Sequence, residues 1–224
     1  MSHLVTGAGS GIGAVLVHRL LERGDHVVAL ARTQERAEEM AADLPGAEIL
    51  VADLARPESV ESLSLPDSLE SVVHAAGVVE LGRVSELSVE AWAEQLRVNL
   101  VAPAALTRVA LPALRRARGT VVFVNSGAGL SAHPQWSAYA ASKHGLRALA
   151  DALRGEESST GVRVSTVYPG RTATAMQEKV HRQENKDYDA AAWIRPETVV
   201  EAILHLLDLP RDATISDLTV RPAG

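Results

Sequence analysis

The stretch Leu4-Val5-Thr6-Gly7-Ala8-Gly9-Ser10-Gly11-Ile12-Gly13 joins a short apolar run to an amphipathic one. Glycines at 7, 11 and 13 give the spacing G-x-x-x-G-x-G, directly after a strand candidate and at the opening of a helix candidate. Without Cβ atoms the chain can turn sharply there. A phosphate can then approach the first helical amides, where unpaired N–H groups and the helix dipole favour anions. The same residues also fit G-x-G-x-x-A from Gly9 through Gly11 to Ala14, a register that starts late relative to the strand. Strand, glycine turn and helix in this order predict a nucleotide site at Gly7, Gly9, Ser10, Gly11, Ile12 and Gly13.

Outward from the turn, short β-branched runs alternate with longer helical stretches. The strand candidates are 3–5, 26–31, 48–51, 71–74, 120–125, 162–168 and 214–220; the helix candidates are 12–23, 34–43, 57–63, 89–116, 136–158 and 196–207. Continuous apolar strands in such alternation predict an α/β fold with a parallel sheet covered on both faces. Ligands then bind beyond the carboxyl ends of the strands. Pro103 and Pro112 interrupt the 89–116 stretch, which predicts a bend or break between Asn99 and Pro103. The polar segment 172–193 reads equally as a mobile lid over a substrate or as a solvated surface helix and loop.

Composition narrows the classes. The chain has 224 residues, 46% hydrophobic and 22% charged, which is enough for one substantial core, and no linker divides it, so 1–224 is read as a single domain. With no cysteine there is no disulfide, thiol nucleophile or zinc ribbon, and no metal site is expected. The opening residues lack a basic region followed by a long apolar stretch, and no apolar run is long enough to span a bilayer. A cytoplasmic protein is expected, without a membrane partner. Net charge is −6. The Arg115-Arg116-Ala117-Arg118 cluster suits a helix C-terminus, so no nucleic-acid partner is expected.

The second strand candidate ends Ala29-Leu30-Ala31-Arg32-Thr33, with no acid before Glu35. A carboxylate at that place would bond the ribose 2′-hydroxyl of NAD(H). Arg32 instead presents a planar fork suited to a 2′-phosphate, so NADP(H) is preferred, with NAD(H) possible. Asp53 ends the third strand candidate. It either accepts from an adenine amine, with Leu54 covering the ring, or closes an Asx turn.

Tyr139 and Lys143 are one helical turn apart, and Ser126 precedes the tyrosine by thirteen residues. A fixed ammonium is expected to pull the phenol below its reference pKa of about 10 toward acid–base use. A serine on a preceding strand end would hold a substrate oxygen against that phenol.

Taken together, the Thr6–Gly13 turn, Asp53, Ala75-Ala76-Gly77, Asn99, Ser126, Tyr139 with Lys143, and Pro169-Gly170 resemble the short-chain dehydrogenase/reductase family, over nearly the whole chain. The resemblance implies a single Rossmann-like, doubly wound domain of about seven strands that transfers a hydride between a nicotinamide and a carbonyl or alcohol carbon. Tyr139 would be the general acid/base, Lys143 would lower its pKa and bond the nicotinamide ribose, and Ser126 would polarise the substrate oxygen. Asn99 would hold a water linking Lys143 to solvent. Ala75, Ala76 and Gly77 would pass the adenosine ribose; Pro169, Gly170, Thr172 and Thr174 would pass the nicotinamide.

The chain departs from the family pattern at two motifs and in length, being compact between Gly170 and Pro196, so that the substrate pocket is expected to be either open or closed by few residues. His74-Ala75-Ala76-Gly77 stands where the family commonly has N-N-A-G, and His74 is read as a structural strand-end residue. Thr172 replaces an apolar residue. The resemblance also implies a homodimer or homotetramer through the helices bearing Asn99 and Tyr139. Candidate pocket walls are His133, Trp136, Met176 and Val79, with Trp136 equally suited to packing at a helix start. Arg171 either meets an anionic group or lies exposed. The rival reading is a nucleotide-binding sensor or scaffold without turnover; a lyase, epimerase or dehydratase would call for a longer C-terminal region.

Overall fold

Successive strand residues bury toward opposite faces, and that alternation builds two cores. Leu4, Val28, Val72, Val121, Phe123 and Val164 join one apolar cluster, while Val5, Val27, Ala29, Val73, Val122 and Val167 join the other. The computed structural model describes residues 1–223. Its strands are β1 Ser2–Thr6, β2 His26–Ala31, β3 Glu48–Val51, β4 Ser71–His74, β5 Thr120–Val124, β6 Arg163–Pro169 and β7 Asp217–Val220. They form one sheet, ordered β3-β2-β1-β4-β5-β6-β7. Every pairing in it is parallel, so it is the doubly wound α/β architecture expected. The helices are α1 Gly11–Glu22, α2 Gln34–Asp43, α3 Val89–Leu96, α4 Ala102–Ala117, α5 Ser137–Glu156, α6 Ala175–Gln183 and α7 Pro196–Asp208.

Leu16, Leu20, Val199 and Ile203 of α1 and α7 cover the first face. Leu106, Leu114, Leu146 and Leu153 of α4 and α5 cover the second. Each such fully buried side chain contributes roughly 1.5–3 kcal/mol. The order of strands reverses between β1 and β4, which opens a crevice at their carboxyl ends, where an open α/β sheet binds its ligand.

The expected helix 89–116 changes pitch near the predicted place, with no gap in the helical backbone. Arg97–Val101 is π-helical and carries Asn99, and α4 follows. Pro103 lies in the first turn of α4, which continues directly from the π-helical turn. Pro112, by contrast, stands inside α4, which continues to Ala117. The expected helix 57–63 is a 3₁₀ helix, Pro57–Ser62. The last strand is shorter than 214–220 predicts, beginning at Asp217.

Candidate active site

The glycine turn follows from close approach. Gly7 has φ +69°, and a Cβ there would stand 2.7 Å from the Ala76 nitrogen; the loops after β1 and β4 can therefore touch, and the Thr6 hydroxyl accepts from the Ala76 N–H at 3.1 Å. At Gly13 a Cβ would lie 2.3 Å from the Gly7 carbonyl oxygen, so α1 can start tightly against the turn only with glycine there. Ser10 occupies the N-cap position of α1 without a side-chain bond to the first-turn amides. Those donors are left for a ligand.

A cleft of about 800 Å³ runs from this turn across the carboxyl ends of the strands. Gly7, Ser10, Gly11, Ile12, Arg32, Asp53, Leu54, Ala75, Ala76 and Gly77 line one part; Ser126, His133, Trp136, Tyr139, Lys143, Pro169, Gly170, Thr172, Thr174 and Met176 line the other. Three of the expected residues stand behind this wall. The Gly9 carbonyl accepts from Arg36 Nη2 at 2.9 Å, and Gly13 packs against Gly7. Asn99 is buried and bonded twice to the Val78 backbone, its Oδ1 accepting at 2.8 Å and its Nδ2 donating at 2.9 Å.

Ser126 lies just past β5, its hydroxyl accepting from the Ala128 N–H at 3.2 Å. Tyr139 and Lys143 share one face of α5 and are both buried. The ammonium donates to the Val124 carbonyl at 3.0 Å and sits 5.8 Å from the centre of the tyrosine ring. The expected downward shift of the phenol is not what the protein produces on its own. Burial pushes Tyr139 up to about 12, with the neighbouring Ser126 hydroxyl acting in the opposite direction. Burial also brings Lys143 down to about 8. Desolvation disfavours the charged form of both groups.

At the far end Asp53 serves the turn. Its Oδ1 accepts from the Ala55 N–H at 3.0 Å, and its carboxylate faces Arg32 Nε at 3.3 Å and Arg56 Nε at 3.5 Å. The Asx turn is present, and Asp53 also lines the cleft. Arg32 keeps 68% of its side chain exposed at the cleft. His74 is structural, as expected: it bonds Thr107 Oγ1 at 2.9 Å, stacks on Phe123, and burial lowers its pKa to about 3. Arg171 forks onto Glu184 at 2.7 and 3.0 Å. The Thr174 hydroxyl caps α6, accepting from Gln177 N–H at 3.3 Å.

The segment 172–193 is neither wholly solvated nor detached. Gln177, Val180 and His181 of α6 are buried. Val180 and Met176 pack with Val79, Trp136 and Tyr139. The helix is tied across the cleft by Gln183 Nε2 to Glu80 at 2.7 Å and Lys179 to Glu80 at 2.8 Å.

Two supporting residues went unassigned in the sequence. Asn125 donates to the Lys143 carbonyl at 3.0 Å and accepts from the Ser126 N–H at 2.8 Å. Ser142 donates to the Tyr139 carbonyl at 2.7 Å and accepts from Asn99 Nδ2 at 3.0 Å. Their only sequence signal is a polar side chain beside the catalytic candidates.

Glycine turn, tyrosine, lysine and serine thus face one crevice of a parallel sheet, and a family model for short chain dehydrogenases matches residues 2–185. The chain belongs to the short-chain dehydrogenase/reductase family. As a member it is an oxidoreductase, and its uncapped α1, its apolar Leu30, Ala52 and Leu54 wall, and its glycine approach fit a nicotinamide dinucleotide. A mouse protein named dehydrogenase/reductase SDR family member 11 is 30% identical, covering 98% of this chain and 93% of that one. A solved closed form of serine dehydrogenase complexed with NADP+ is 26% identical at TM-score 0.87, covering 98% and 94%. A 4-hydroxyisoleucine dehydrogenase complexed with NADH is 29% identical at TM-score 0.82, covering 99% and 97%. Short-chain dehydrogenases this similar thus occur with either cofactor. Among the described residues no helix is long and apolar enough to cross a membrane.

Proposed function

We propose that this short-chain dehydrogenase/reductase transfers a hydride between NADP(H) and a carbonyl or alcohol carbon, with Tyr139 as its general acid/base. The observation that carries the reading is that Ser126, Tyr139 and Lys143 line the same cleft as the glycine turn and Arg32. When bound, the nicotinamide supplies the hydride chemistry. The protein's part is position and protons. The Ser126 hydroxyl orients the substrate oxygen, and the buried phenol, neutral up to about pH 12, donates to that oxygen as negative charge develops. Lys143 stands close enough to stabilise the phenolate left behind. Asn99 and Asn125 are positioning residues: one ties the Val78 backbone to Ser142, the other ties Ser126 to α5.

The test is a panel of carbonyls and alcohols followed at the nicotinamide absorbance with both cofactors. Tyr139→Phe is expected to bind NADPH nearly normally and to lose at least about 100-fold in kcat; turnover near wild type in that variant removes Tyr139 as acid/base.

The preference for NADP(H) rests on Arg32 at the end of β2, exposed and facing the cleft. Arg32→Ala is expected to weaken NADPH binding by roughly 10- to 150-fold, the worth of a charge-assisted bond, and to leave NADH nearly unchanged. Equal losses for the two cofactors in calorimetric titration would reject the 2′-phosphate role.

A further inference from the structure

Four basic side chains of Lys and Arg line the cleft: Arg32, Lys143, Arg171 and Arg221. Three of them already have partners. Arg32 faces Asp53 at 3.3 Å, Arg171 forks onto Glu184, and the Lys143 ammonium donates to the Val124 carbonyl. Arg221 pairs with no carboxylate among the described residues. It follows β7, which is separated from β5 by β6, yet its guanidinium lies against Gly127, the residue after Ser126. A Cβ built on Gly127 would meet Arg221 Nη1 at 2.7 Å, so the glycine makes the room in which the cation sits. The side chain therefore reaches across the carboxyl end of β6 to stand beside the serine. Lys143 and Glu94, the latter on α3, are the other lining charges without an ionic partner among the described residues.

An arginine fork is a planar, permanently charged donor set that matches a carboxylate through two parallel bonds. Gly127 follows Ser126 directly and both line the same cleft with Arg221, so one small substrate can place an anion on Arg221 and an oxygen at Ser126. We propose that Arg221 is a substrate-recognition residue and that the substrate is a short hydroxy acid or the corresponding oxo acid, its carboxylate on the Arg221 guanidinium and its reacting oxygen at Ser126. The assignment rests on the hydride-transfer reading given above. In the reducing direction the oxo carbon would take the hydride that NADPH supplies, its oxygen would take the proton of the neutral Tyr139 phenol, and a hydroxyl would form, with the phenolate left beside Lys143. The carboxylate is unchanged.

The test uses the full chain with acetoacetate and methyl acetoacetate under NADPH, and with 3-hydroxybutyrate and its methyl ester under NADP+. The wild type is expected to favour each acid over its ester by at least about 10-fold in kcat/KM. Arg221→Ala is expected to lose roughly 10- to 150-fold on the acids, mainly through KM, with ester rates within about twofold and Arg221→Lys recovering part of the loss. Calorimetric titration with acetoacetate gives a readout independent of turnover, and binding should weaken in parallel. Equal losses on acid and ester, a wild type that prefers the ester, or unchanged acetoacetate binding in Arg221→Ala overturns the proposal. If esters are reduced while acetoacetate binding ignores Arg221, the carboxylate assignment alone fails. If no compound is turned over with either cofactor while acetoacetate binding still depends on Arg221, the hydride reading fails and the carboxylate site stands.

Discussion

Lys143 carries its ammonium into a buried setting, bonded to the Val124 carbonyl at 3.0 Å, and burial lowers its pKa from the ordinary 10.5 to about 8. Below pH 8 the folded protein bears the cost of this buried cation. Between pH 8 and 10.5 the unfolded chain binds more protons at this site than the folded one, so stability rises with pH across that window. Tyr139 acts in the opposite sense. Its phenol is raised to about 12, so above pH 10 the unfolded chain releases a proton that the folded one keeps, and stability falls. A stability maximum just above pH 10 is therefore expected from this pair, with a rise from pH 8 on the order of 2 kcal/mol. Urea titrations of wild type and Lys143→Met at pH 8 and 9.5 measure it: the wild-type midpoint should climb and the variant's should not. Parallel behaviour of the two proteins would mean that the lysine is better solvated than its position implies.

At the level of elements, α6 is the part of the site most dependent on ionic contacts. Arg171 holds its C-terminal end through Glu184, whose side chain is 11% exposed, while Glu80 holds Lys179 and Gln183. Removing the fork should open the helix locally without unfolding the sheet. Arg171→Ala is expected to speed amide exchange over residues 175–183 by roughly 5- to 150-fold, the worth of about 1–3 kcal/mol for a partly buried charged pair, with exchange in β4 and β5 unchanged. Uniform acceleration over the whole chain would instead make the pair a global support. This coupling also marks where the sequence stops being informative. The glycine turn and the Tyr139–Lys143 pair were legible because their geometry is local: a run of glycines, one turn of helix. Glu80 meets Gln183 across 103 residues, and Asn125 meets Lys143 across 18. Such pairings exist only once the sheet order is set. Pro112 is the converse case, a local rule outweighed by the packing of Leu106, Ala110 and Leu114 on the sheet.

At the scale of the whole molecule, a parallel sheet covered on both faces buries the polar side chains that point into its layers, and two histidines are caught there. His3 in β1 bonds the Ser71 hydroxyl at 2.8 Å, and burial lowers it to about 4 despite Asp25, whose carboxylate lies 3.6 Å away. His74 at the end of β4 is lowered to about 3, also by burial. Both stay neutral in the folded protein while the unfolded chain takes up protons near pH 6.5. Falling pH therefore favours the unfolded state from about 6.5 downward, through a window in which most carboxylates remain ionised. Between pH 7 and pH 5 the loss should be on the order of 2–4 kcal/mol, read as a fall in the urea midpoint. His74→Asn can keep a hydrogen bond to Thr107 but has no proton to gain. The variant starts less stable for want of the stack on Phe123, yet it should lose only about half as much on acidification. A midpoint that falls as steeply in His74→Asn as in the wild type would place the acid sensitivity elsewhere than in this dry sheet.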